Sequence, residues 1–137
     1  MKGHFVFDDT EFELQFENGT LSPKLFSHEA HLRLAWIELR RLGESAAVDS
    51  VCDLIRNYVI ALGVKEKFNL TITVAAVKMV NHFMQRSEAE TFEALLEAFP
   101  VIGEDFKGLM RQHYSFDIYH NAEARKTFLS PDLAPFD

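Results

Sequence analysis

Two histidines three residues apart, His28 and His31, are the side chains here best suited to acid–base or ligand chemistry. Imidazole changes charge near neutral pH and can donate, accept or bind a metal. Their direction follows from helical spacing. A helix turns about 100° per residue, and Leu32, Ala35, Leu39 and Leu42 recur at i, i+3, i+7 and i+10 as an apolar stripe. His28 and His31 continue that stripe toward the N-terminus, so both are expected to face the interior. Asn69 and Thr73 take the matching place on a later helix, on one edge of an apolar face formed by Ile72, Ala76, Met79, Val80 and Phe83. On the helix between them, Tyr58 shares an inward stripe with Ala47, Val51, Leu54 and Leu62, and its hydroxyl needs a partner if buried. If these three helices run up, down and up, the outer two are parallel. His28, His31, Asn69, Thr73 and Tyr58 are then expected to meet at one end of the core. Two helix N-termini would add free backbone N–H groups there, which suits a small anionic or carbonyl-bearing molecule.

The competing reading of His28 and His31 is a pair of hydrogen-bonded core histidines. A metal is a weaker reading than a metal-free site. Spacing i, i+3 allows two histidines to share an ion, but no inward carboxylate accompanies them. His28-Glu29-Ala30-His31 is also one residue short of the H-E-x-x-H zinc motif. Ser115 beside His113 is adjacency without geometry. A Gly-x-Ser-x-Gly elbow, a P-loop and a dinucleotide fingerprint are absent. The single cysteine, Cys52, sits among Val48, Val51 and Ile55 and reads as a small hydrophobe. His4, His113 and His120 are expected at the surface or in loops, Trp36 at the border of the core, and Glu29, Arg33, Arg40 and Arg41 in solvent. Thr71, Lys78 and His82 fall on the wet side of their helix.

Helix breakers position these residues. Gly19, Pro23, Gly43, Gly63, Pro100 and Gly103 separate periodic segments. Helices are expected at about Asp9–Asn18, from an N-cap at Ser27 to Leu42, at Glu44–Leu62 and at Asn69–Gln85. A fifth opens on a Ser87/Glu90 capping box and ends before Pro100. A sixth covers Asp105–His113, and a last turn runs from Asn121 to Arg125. An extended tail, Ser130–Asp137, follows. His4-Phe5-Val6-Phe7 is the only strand candidate, and it lacks a partner. The expected fold is all-α: a compact antiparallel bundle of about five to six helices in one domain, residues 1–137.

Phe26-Ser27-His28-Glu29-Ala30-His31-Leu32-Arg33-Leu34-Ala35-Trp36 resembles the F-x-H-x-x-H-L-x-x-A-W helix of a family of small bacterial helical proteins. Lys67-Phe68-Asn69-Leu70-Thr71-Ile72-Thr73 resembles that family's second motif, a lysine and an aromatic followed by H-x-T-x-T. The tail segments Asn121-Ala122-Glu123-Ala124-Arg125 and Ser130-Pro131-Asp132-Leu133 fit as well. The resemblance runs from Phe26 to the end and implies motif positions without a reaction. Asn69 stands where that family more usually has His, so any role of that histidine is altered or lost here.

Composition narrows the partners. A net charge of −7 disfavours nucleic acid and anionic membranes, which call for clustered Lys and Arg. One cysteine excludes an internal disulfide. No apolar run reaches the ~20 residues of a membrane span, and Met1–Phe7 lacks the apolar run of a signal peptide. The expectation is a cytoplasmic protein. The favoured function is a helical bundle that binds a small molecule, with enzyme chemistry at His28 or His31 left open. The alternative is a non-enzymatic interaction or accessory protein, a homodimer with structural histidines.

Overall fold

Short polar side chains open six of the helices. The side chains of Asp8, Ser27, Asn69, Thr91, Asp105 and Asn121 each accept the backbone N–H three residues on, at 2.9–3.1 Å. Each thereby satisfies one of the donors that a helix N-terminus leaves open. The resulting elements are α1 (Asp9–Glu17), α2 (His28–Leu42), α3 (Glu44–Ala61), α4 (Leu70–Met84), α5 (Phe92–Ala98), α6 (Val101–Glu104), α7 (Phe106–His113) and α8 (Ala122–Lys126). The computed structural model describes residues 3–136. Residues 1, 2 and 137, at the ends of the expected Met1–Phe7 and Ser130–Asp137 stretches, fall outside them. Among the described residues the fold is all-helical, with no strand. None of the helices is long and apolar enough to cross a membrane.

By backbone contacts the chain groups into two compact units, one ending at Phe68 and the other beginning at Asn69. In the first, α2 and α3 pack along one another and α1 packs on both. Gly43 joins α2 to α3 with a φ of 82°, a left-handed angle that glycine adopts without a Cβ penalty. An aromatic cluster fills this unit. Phe16 lies 5.2 Å from Phe12, 5.4 Å from Phe26 and 5.0 Å from Tyr58, all edge-on.

In the second unit α8 packs on α4, and α6 contacts both α5 and α7. The tail after α8 is not helical, and it is tied down. The Leu133 amide donates to the His113 carbonyl at 3.0 Å, and the Tyr114 hydroxyl to the Leu129 carbonyl at 2.7 Å. Ser115 donates from its hydroxyl and backbone to Asp132.

Several expectations are corrected. Residues Gly3–Val6 form a 3-10 turn and not a strand. The fifth helix starts at Phe92 under a Thr91 cap. Ser87 instead closes a turn two residues on, accepting from the Ala89 amide at 3.0 Å. Arg33, expected in solvent, and His4, expected at the surface or in a loop, are buried. Arg33 donates to Asp9 at 2.8 Å and to the carbonyls of His4 and Phe7 at 2.8 and 2.9 Å, with its guanidinium over the Phe12 ring at 4.6 Å. Its donation to His4 Nδ1 at 3.3 Å makes that nitrogen the acceptor, so Nε2 carries the proton that goes to Glu29 at 2.8 Å. Five donors in a planar fork let one arginine bind a whole turn of chain to α2. Thr71 is likewise buried, because its hydroxyl donates to the Thr127 carbonyl at 2.8 Å. His113 ends α7, half-buried and stacked on Phe136. Trp36 is inside the core and not at its border.

Candidate functional site

Both histidines of the opening motif lie in the first turns of α2. His31 is half-buried, and its Nε2 is shut away from solvent without a hydrogen-bond partner. Burial, helped by the nearby His28, lowers its pKa to about 4. The expectation that both face the interior is corrected for His28, which is exposed on the helix surface. Desolvation nonetheless lowers its pKa as well. His28 is the first residue of α2, whereas His31 lies a turn further in. Phe26 connects the pair to the aromatic cluster, with its ring 6.5 Å from His31 and 5.1 Å from Tyr58. The Tyr58 hydroxyl donates to the Leu21 carbonyl at 2.7 Å, deep in the first unit.

Asn69 and Thr73 lie in the second unit, and their polar atoms bond within it. Asn69 accepts the Ile72 amide through Oδ1 and donates through Nδ2 to the Ile118 carbonyl at 2.9 Å. Thr73 donates from Oγ1 to the Asn69 carbonyl at 2.8 Å. Asn69 is thus a helix cap that also anchors the loop after α7.

A different cluster was not legible in the sequence. Glu13 of α1 and Glu38 of α2 form a carboxyl–carboxylate pair, braced by Arg41 of α2 and Ser50 of α3. Arg41 reaches Glu13 at 3.1 Å and Glu38 at 3.0 Å, and the Ser50 hydroxyl donates to Glu38. Two carboxyl groups this close hold one proton between them. The hydrogen bond to Glu38, followed by burial, pushes Glu13 up to about 7. Burial also acts to raise Glu38, but its hydrogen bonds from Glu13, Ser50 and Arg41 outweigh that and hold it below the usual range. An open cavity of about 280 Å3 adjoins Glu13, lined also by Arg41, Trp36 and Arg40 among others. The only trace in the sequence was Glu38, which interrupts a helix otherwise apolar from Leu34 to Leu39. Glu13 sits on a helix of weak amphipathic pattern, and nothing local connects the two.

Cys52 is buried, and burial raises its thiol to about 11, which leaves it unreactive. Among the described residues no three His, Cys, Asp or Glu side chains converge to hold a metal ion. The chain matches no family model, no curated protein and no solved structure.

Proposed function

We propose that this protein binds a small carbonyl-bearing molecule at the N-terminal end of α2, with His31 as the contact residue and His28 beside it. One observation carries the reading: His31 Nε2 is buried without a partner. Buried polar atoms are nearly always hydrogen-bonded, and each exception costs about 1–3 kcal/mol. A ligand that meets this nitrogen recovers that cost. Burial keeps His31 uncharged at neutral pH and lowers His28 in the same direction. A neutral imidazole offers a hydrogen bond without charge, which favours a carbonyl oxygen over an anion. His28, three residues before His31, is exposed. Tyr58, Asn69 and Thr73 each have a partner within the chain, so the reading rests on the histidines.

Native mass spectrometry of freshly purified protein tests this. The parent is expected to carry a bound organic mass that is lost on denaturation. His31→Phe should lack it while keeping the parent's circular dichroism. A parent with nothing bound, a metal found in its place by elemental analysis, or a variant carrying the same mass would each overturn the reading.

A further inference from the structure

A second cavity, open to solvent and of about 370 Å3, is lined by α7 and the loop that follows it, within the unit that begins at Asn69. That volume falls in the range of small-molecule sites. Two features of its lining stand out. Lys107 and Arg111 are one turn apart on α7, so both project to the same side of the helix. Neither forms an ion pair with any described carboxylate, in a chain whose acidic residues outnumber its basic ones by 21 to 14. The Lys107 ammonium instead rests over the Tyr119 ring, 5.1 Å from its centre. The second feature is Tyr119 itself. Its hydroxyl is buried and has no hydrogen-bond partner, and burial raises its pKa, so it stays a neutral donor.

The loop is built to hold that ring in place. Asp117 accepts the backbone amides of Tyr119 and His120 at 2.7 and 3.3 Å, and its other oxygen pairs with His120 Nδ1 at 2.8 Å. The carboxylate is thereby occupied by its own loop, although it lines the same cavity. Asn69 fixes the adjoining residue through the Ile118 carbonyl. The remaining lining is mostly apolar or aromatic, including Met110, Tyr114 and Phe116; Ser115 also lines it, with its hydroxyl given to Asp132.

We propose that this cavity binds a small aromatic carboxylate, with Lys107 and Arg111 holding the carboxylate and the Tyr114, Phe116 and Tyr119 rings holding the aromatic body. Arginine suits a planar carboxylate because its fork matches both oxygens. A ring placed among aromatic side chains packs edge-on or offset. The site is independent of His31.

Three probes separate the parts of this proposal. Benzoate has ring and charge, acetate the charge alone, and benzyl alcohol the ring alone. Titrations followed by the amide NMR signals of α7 and the loop 114–120 should saturate with benzoate. Acetate and benzyl alcohol should each bind at least about tenfold more weakly. Arg111→Gln and Lys107→Gln replace exposed side chains and should fold as the parent does, yet bind benzoate about tenfold more weakly. Lys126→Gln, on α8, should bind like the parent. Tyr119→Phe should weaken benzoate without lowering the melting temperature, since the hydroxyl it removes has no partner. Absence of saturation with benzoate, equal affinity for acetate, or unchanged affinity in both cation variants would overturn the proposal.

Discussion

His31 and Glu13 titrate in opposite directions, and both leave a signature in stability. The folded state lowers the pKa of His31 from 6.5 to about 4. Its unfolded form takes up a proton first as pH falls, so its contribution to stability is complete above pH 6.5 and is lost toward pH 4. The loss amounts to roughly 3 kcal/mol. Glu13 is raised from 4.5 to about 7. Its unfolded form releases a proton first as pH rises, so stability is lost between pH 4.5 and 7. The two slopes oppose one another over part of this range, and single variants are needed to expose them. Urea melts of Glu13→Gln should show greater stability than the parent above pH 7, by on the order of 2 kcal/mol, because the amide replaces the shared proton permanently. The same melts of His31→Phe should lack the acid-side loss. A Glu13→Gln variant that tracks the parent at every pH would show that the carboxyl pair does not share a proton. Arg33 is a third residue whose environment decides its role. Arg33→Lys should destabilise by about 3–5 kcal/mol by denaturant melt, since one ammonium cannot serve Asp9, His4 and Phe7 together and the remaining buried groups lose their donor.

At the scale of elements, the caps carry the organisation. Asn69 starts α4 and also holds the backbone at Ile118. Asn69→Asp keeps the cap but loses the donor to Ile118, while Asn69→Ala loses both. Asn69→Ala should therefore cost about 2–3 kcal/mol, a cap plus an unsatisfied carbonyl, and Asn69→Asp about half of that. Amide exchange distinguishes the two losses. Both variants should expose the loop after α7, and only Asn69→Ala should fray the first turn of α4. The helices of the first unit depend more on packing than on pattern. α1 has little amphipathic character, yet Phe12 and Phe16 are buried, because Tyr58 of α3 and Phe26 ahead of α2 pack on Phe16 and Arg33 of α2 covers Phe12. From Leu32 to Leu39, α2 is buried on every side, so its two polar residues there must be paired, and Arg33 and Glu38 are.

For the whole molecule, charge sets the expectations for large partners. At a net charge of −7 the protein should fail to retard duplex DNA or single-stranded RNA in a gel at physiological salt. Lys107 and Arg111 form too small a cationic feature to alter that. A tight, salt-sensitive shift would contradict it.

Composition, breakers and caps in the sequence were enough to establish the all-helical class and most helix bounds. Ser27, Gly43, Asn69, Asp105 and Asn121 act locally, through bonds within a few residues, and local bonds are legible in order along the chain. The miss at Ser87 has the same origin: two hydroxyls, Ser87 and Thr91, competed for one role, and spacing alone does not rank them. Only the tertiary structure decided which polar residues are buried. Arg33 and Thr71 sit where helical spacing would leave a polar side chain in solvent, and they, with His4 and Glu38, are buried because residues distant in sequence provide their hydrogen bonds. The Glu13–Glu38 pair lies beyond sequence reading for the same reason. A carboxyl near pH 7 arises from burial and a second carboxyl 25 positions away, and neither leaves a mark at Glu13 itself.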